Sequence, residues 1–119
     1  MLNTLALTNA QNAAATDLDG NVTHIAVGDD NTTPVVGNTA LGNETYRGSL
    51  FSESLTNNVV VKDIRIDEAS NNGNTVNEIG TFDAASSGNM SNHKLTTSVA
   101  KTSAKVFFYR LKTTFVASN

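Results

Sequence analysis

The alternation near the C-terminus limits the fold more than any other feature of the chain. Within 105–116, Phe107, Tyr109, Leu111 and Phe115 fall on one side of an extended backbone, and Arg110, Lys112 and Thr114 on the other. A period of two sends successive side chains to opposite faces, so the segment predicts a strand with one face in a core. Burying those four side chains is worth about 1.5–3 kcal/mol each before the entropy of ordering is counted. The expectation is a strand at the centre of a sheet.

Other segments carry the same signature. Residues 59–68 predict a central strand, with Val60, Ile64 and Ile66 on one face and Val59 and Val61 on the other, ahead of Asp63 and Arg65. Apolar residues on both faces early and on one face later imply partial coverage or a bulge. Residues 21–27, 75–82 and 90–99 predict further strands, and 44–55 an extended stretch with Tyr46 as a buried anchor. Turn signals separate them. Gly28-Asp29-Asp30-Asn31 breaks the first strand, and Ala85-Ser86-Ser87-Gly88-Asn89 precedes 90–99. Asn72-Gly73 favours a type I′ hairpin. Residues 28–38 form a loop around the only proline, Pro34, and 39–43 read as one helical turn.

One sizeable helix is expected, over 7–18. Leu7, Ala10, Ala14 and Leu18 recur at spacings of three and four, Thr8 or Asn9 can cap its start and Gly20 can end it. Such a short, Ala-rich helix needs tertiary packing to hold it. Several short strands with regular turn signals define the fold class: all-β, an antiparallel β-sandwich with one short N-terminal helix. A length of 119 residues fits a single domain over 1–119, and no repeat or linker divides it.

Composition narrows the function classes. Asn, Thr and Ser make up about a third of the chain, and such side chains favour turns and strand surfaces over helix interiors. Charged residues are 16%, against about a quarter in ordinary domains. Net charge is −3, and the basic residues are scattered apart from a mild cluster at Lys101, Lys105, Arg110 and Lys112. Nucleic-acid binding asks for concentrated positive charge, so no nucleic-acid partner is expected. The absence of cysteine removes disulfides, thiolate metal sites and thiol nucleophiles. No apolar run has the length of a membrane span, so no membrane partner is expected. The opening Met1-Leu2-Asn3-Thr4-Leu5-Ala6-Leu7 is too short and uncharged for a signal peptide. The four Asn-x-Ser/Thr sequons therefore reflect abundant Asn and Thr.

Catalytic chemistry finds little support. His24 and His93 are the only histidines; the first is expected to be a hydrogen-bonded strand residue and the second solvated. No nucleophile elbow, phosphate loop or zinc-protease motif occurs. Asp17-Leu18-Asp19-Gly20-Asn21 and Asp29-Asp30-Asn31 offer oxygens, but calcium-loop spacing is missing, and a helix end and an Asx turn explain them. No metal and no cofactor is expected. Glu78 lies among apolar neighbours in Val76-Asn77-Glu78-Ile79-Gly80-Thr81-Phe82, and Glu44 precedes Tyr46-Arg47. A carboxylate in such a setting needs a partner, which Arg47 or Arg65 would supply bidentately. A two-carboxylate hydrolase would use Glu44 and Glu78 as acid and base. An ion pair fixing sheet edges or subunit register is the preferred reading, because no pocket-forming glycine or aromatic platform accompanies the carboxylates.

Three blocks occur in order: Thr23-His24-Ile25-Ala26-Val27-Gly28-Asp29, then Thr39-Ala40-Leu41-Gly42-Asn43-Glu44-Thr45-Tyr46-Arg47, then Asn77-Glu78-Ile79-Gly80-Thr81-Phe82-Asp83-Ala84. Together they resemble the N-terminal, particle-attaching domain of phage tail-collar fibre proteins and related small phage virion proteins. Leu7-Thr8-Asn9-Ala10 is similar to that family's leading helix. The resemblance implies a structural role on a virion, with the matched residues carrying fold. Gly28 would allow the turn, Glu44, Tyr46 and Arg47 would anchor the next element, and Glu78, Gly80 and Phe82 would form a core strand. Thr81 departs from the pattern by standing where the family carries an apolar residue. Because no fibre shaft or tip follows Asn119, the expectation is an adaptor between fibre and tail, or a small decorating protein.

The expected function is thus a non-enzymatic, tail-associated virion protein: a fibre adaptor, collar or baseplate component, localised in the virion. It would bind other tail, fibre or capsid proteins and form homo-oligomers. The alternatives are a capsid decoration or head-fibre protein and, more remotely, a glycan-binding module. Glu44, Tyr46, Arg47, Glu78, Gly80 and Phe82 are the assembly and structural candidates.

Overall fold

The computed structural model describes residues 4–116. Helix α1 (Thr4–Asn21) is followed by β1 (His24–Gly28), β2 (Glu44–Ser49), β3 (Ser52–Thr56), β4 (Val59–Ile66), β5 (Thr75–Phe82), β6 (Met90–Ala100) and β7 (Phe107–Thr114). The strands form two antiparallel sheets, ordered β2-β1-β5-β6 and β3-β4-β7. The chain is an all-β, sandwich-like fold with one helix.

The inner faces build the main core. Ile25 and Val27 of β1 and Ile79 of β5 meet Ile64 and Ile66 of β4 and Leu111 of β7, with Tyr46, Leu50, Phe107 and Tyr109 packed around them. On β4 the residues at even numbers are buried and those at odd numbers half-buried, as the alternation requires. No bulge interrupts β4.

Four expectations are corrected. First, β7 is an edge strand: it pairs only with β4, which is itself central. Alternation reports that one face is buried; it carries no information about whether both edges are paired. Second, 44–55 is not one extended stretch. The chain changes sheets at Leu50 and Phe51, where the Leu50 amide donates to Thr23 (3.4 Å) and the Phe51 amide to Asp63 (2.8 Å). Third, Asn72-Gly73 does not close a hairpin, because β4 and β5 lie in different sheets. The turn residues adopt left-handed geometry (Asn71 φ 59°, Gly73 φ 87°), but the loop crosses between the layers. It is stitched there by Gly73 N–H to Lys101 O and Lys101 N–H to Asn74 O. Fourth, 39–43 is irregular and not a helical turn.

The helix is longer than 7–18 and passes through Gly20. It rests on the smaller sheet, burying Ala15. Lys62, on the buried face of β4, fastens it: Nζ donates to Asp19 Oδ1 (2.8 Å), Asp19 O (3.0 Å) and Glu53 Oε2 (2.6 Å). A buried ammonium is tolerated because three oxygens replace its water.

Candidate functional site

β5 is buried on both faces although its sheet has only one sheet packed against it. The loop 29–43 supplies the second cover. Leu41 descends onto Ala26 and Phe82, with Met90 beside them, forming a small second core. Gly80 makes room for it: a side chain there would meet Leu41, the Asn92 carbonyl and Met90.

Glu78 fixes this cover. Its side chain is 1% exposed. Oε1 accepts from the Gly42 amide (2.8 Å) and Oε2 from the amides of Asn43 (2.8 Å) and Asp30 (3.2 Å). His93 Nε2 lies 2.9 Å from Oε1, and since a carboxylate only accepts, Nε2 donates. Glu78 thus gathers both ends of the loop with four donors. The ends are also tied to each other: Asp29 N–H donates to Asn43 O (3.1 Å), Asn43 Nδ2 to Asp29 Oδ1 (2.7 Å), and Asn77 Nδ2 to Asp29 O (2.7 Å). Gly28, opposite Glu78 in the β1–β5 register, leaves space for both; a methyl group there would overlap the Asn43 carbonyl and crowd Oε2. Beyond the clasp, the Thr32 hydroxyl and amide hold the Asp30 carboxyl below its ordinary range.

A second knot lies at the other end of β5. Arg47 Nε and Nη2 grip Glu44 (3.0 and 2.6 Å), and Nη1 donates to the carbonyls of Ala84 (3.0 Å) and Ser87 (2.7 Å). Its guanidinium carbon sits 3.7 Å above the Phe82 ring centroid. Arginine suits this place, because a planar fork can pair bidentately and stack at once. The turn it holds is shaped by Ser87 and Gly88 in left-handed geometry. Asn89 donates to Asp83 from amide and side chain, which keeps that carboxyl below its ordinary range.

The structure therefore joins Glu44 to Arg47 and Phe82, and places Glu78 and Gly80 under the loop. Tyr46 stands apart, packed in the inter-sheet core. The expected arginine partner of Glu78 is corrected to three backbone amides and His93; Arg65 lies 3.7 Å from Glu68 instead. His93 is likewise not solvated, its side chain being only 10% exposed. His24 is half-buried, with Nδ1 2.8 Å from Thr23 Oγ1. The missed residues were Asp30, Leu41, Gly42, Asn43, Lys62 and His93. Backbone donors leave no residue-type signal, whereas the glycines at 28 and 80 were available clues.

The aspartates considered for calcium are engaged internally. Asp17 accepts from Asn21, Asp19 binds Lys62, and Asp29 and Asp30 shape the loop. Among the described residues no group of three or more His, Asp or Glu side chains is placed to hold a metal ion, and no helix is long and apolar enough to cross a membrane. A surface cavity of about 590 Å³ lies away from Glu78, between the end of α1 and the β2–β3 crossing, with Asp19 and Glu53 in its wall.

The fold and site define a two-sheet β protein whose longest loop is clasped to a strand by a buried carboxylate. No protein-family model matches the chain, and no curated protein matches it.

Proposed function

We propose that the chain is a structural component of a tailed-phage virion, associated with the tail as a fibre adaptor, collar or baseplate part, and that it works by binding its neighbours. One observation carries the reading. The three blocks that resemble the tail-collar fibre attachment domain lie far apart in sequence, yet all three meet at the Glu78 clasp, and the second and third also form the Arg47 knot. The first gives Gly28 and Asp29, the second Leu41, Gly42, Asn43, Glu44 and Arg47, and the third Glu78, Gly80 and Phe82. In this reading Glu78 is a fastening: its oxygens are occupied by four donors, and Glu44 is occupied by Arg47.

The test is sedimentation of the pure protein at micromolar concentration, with copy counting on purified particles. A symmetric oligomer present at a few to a few dozen copies per particle is expected. Hundreds of copies would move the protein from tail to head. A monomer that never joins particles would overturn the proposal.

A further inference from the structure

Two crossings between the sheets lie side by side. The loop 67–74 carries the chain from β4 in the smaller sheet to β5 in the larger, and 101–106 carries it back from β6 to β7. Two backbone bonds hold these loops in register: Gly73 N–H to Lys101 O (3.0 Å) and Lys101 N–H to Asn74 O (2.8 Å). The chain has no cysteine, so no disulfide can tie them.

Between the loops, Lys101 is placed unlike Lys62. Both are buried, Lys101 at 1% exposure. Lys62 faces the carboxylates of Asp19 and Glu53. Among the described residues no carboxylate forms an ion pair with Lys101. Its Nζ donates to Asn72 Oδ1 (3.0 Å) and the Thr102 carbonyl (3.0 Å), and lies 5.8 Å from the Phe107 ring centroid. A buried ammonium without a counter-charge is costly, and a desolvated lysine amine is a nucleophile.

The group it faces is an electrophile. The Asn72 carbonyl carbon is one C=O bond, about 1.2 Å, beyond Oδ1, so a small side-chain rotation brings it against Nζ. The hydrogen bond from Nζ polarises that carbonyl, and Asn72 Nδ2 is held on the other side by the Glu68 carbonyl (2.7 Å). The usual competitor in an Asn-Gly pair is the following amide, and here the Gly73 N–H is tied to the Lys101 carbonyl. A carboxylate is at hand to carry protons. The Ser70 hydroxyl and the Ala69 amide hold the Asp67 carboxyl below its ordinary range, and the nearby charges of Arg65 and Lys101 add to this.

We propose that Lys101 and Asn72 join in an isopeptide bond that ties the two crossings covalently. Lys101 Nζ passes one proton to Asp67 and uses the freed lone pair to bond to Asn72 Cγ. The Cγ–Nδ2 bond breaks with its electron pair on Nδ2, which takes a second proton from Nζ and the first from Asp67 and leaves as ammonium. One amide is exchanged for another and the buried charge departs with the ammonium, so no oxidant, reductant or activated co-reactant is needed. Asn72 is exposed, which gives the ammonium a way out. The flanking backbone bonds hold the reacting groups together, the condition for a high effective concentration. The inference concerns the chain's own covalent structure and stands apart from the virion reading.

The experiment is intact-mass spectrometry of the full chain, fresh and after prolonged incubation at neutral pH, with tryptic mapping. The wild type is expected to be lighter by one ammonia than its sequence requires. Trypsin should fail to cut after Lys101 and should release 66–94 joined to 95–105 as one branched peptide. Lys101→Arg and Asn72→Ala, each shown to be folded by circular dichroism, should keep the full mass; Asn72→Ala changes an exposed side chain and so spares the core. A folded wild type that keeps its full mass after incubation overturns the proposal. So does a mass raised by the difference between an amide and an acid, with trypsin still cutting after Lys101, because water has then taken the carbonyl. An ammonia loss that persists in Lys101→Arg also overturns it, since the Gly73 amide has then closed a ring on Asn72.

Discussion

Replacing Glu78 by Gln tests the carboxylate clasp with almost no change of shape. Each oxygen of Glu78 receives two donors: Oε1 faces Gly42 N–H and His93 Nε2, and Oε2 faces the amides of Asn43 and Asp30. An amide group must put its NH2 at one of these places. At Oε2 it would oppose two backbone N–H groups. At Oε1 it would oppose Gly42, while His93 could exchange tautomer and accept. At least one buried backbone donor is therefore left unpaired, and the remaining bonds lose their charge assistance. Hydrogen bonds to charged groups contribute about 1.5–3 kcal/mol each, and an orphaned buried donor costs about 1–3 kcal/mol. The expected loss is about 3 kcal/mol, a large part of the roughly 5–15 kcal/mol that holds a domain folded. At about 2–8 °C per kcal/mol for domains of this size range, the midpoint should fall by roughly 10 °C or more. Thermal melting reads the total. Amide exchange at Gly42 and Asn43 reads the site, and both should lose protection ahead of β5. A variant within about 0.5 kcal/mol of the wild type, with both amides still protected, would refute the clasp.

Gly28→Ala should destabilise by about 1–3 kcal/mol, the range for overpacking, as measured by denaturant titration, because its methyl overlaps the Asn43 carbonyl. Arg47→Ala should weaken assembly and lower stability by about 2 kcal/mol, seen as earlier proteolysis of the 84–89 turn, and Arg47→Lys should restore little of it because a lysine cannot pair bidentately. Asp63, held by Arg110, and Asp83, held by Asn89, have folded-state carboxyls below their ordinary range. The unfolded chain then binds more protons, so the stability they contribute is complete above about pH 4 and falls away as pH drops through the folded values. Acid melts should show that decline, and Arg110→Ala should make it shallower.

Much of the fold is legible in the sequence, and the failures have physical causes. Residues 75–82 form a strand over the range the pattern gives, and Val60, Ile64 and Ile66 share a buried face as their spacing requires. Side-chain period fixes which face is buried; it says nothing of which strand comes next to which. That is why β7 proved to be an edge, why the chain changes sheets at Leu50, and why Asn72-Gly73 spans two layers. Glu78 is conspicuous as a carboxylate in an apolar strand, and the need for a partner follows from desolvation. The partner could not be read, because three of its four donors are main-chain amides that every residue type except proline carries. The burial of Lys62 leaves no local signal between Val61 and Asp63, because its partners come from a helix some forty residues earlier and from a neighbouring strand.

The Lys62 fastening has a mechanical corollary. α1 is held on the smaller sheet by the buried Ala15 and, in its last turn, by the Lys62 ammonium gripping Asp19. Tension entering from the amino end would reach this grip before it reached any rung of the strand ladders. The helix would peel away first, and the two sheets would stay intact behind it, so the junction acts as a fuse protecting the body of the molecule from load.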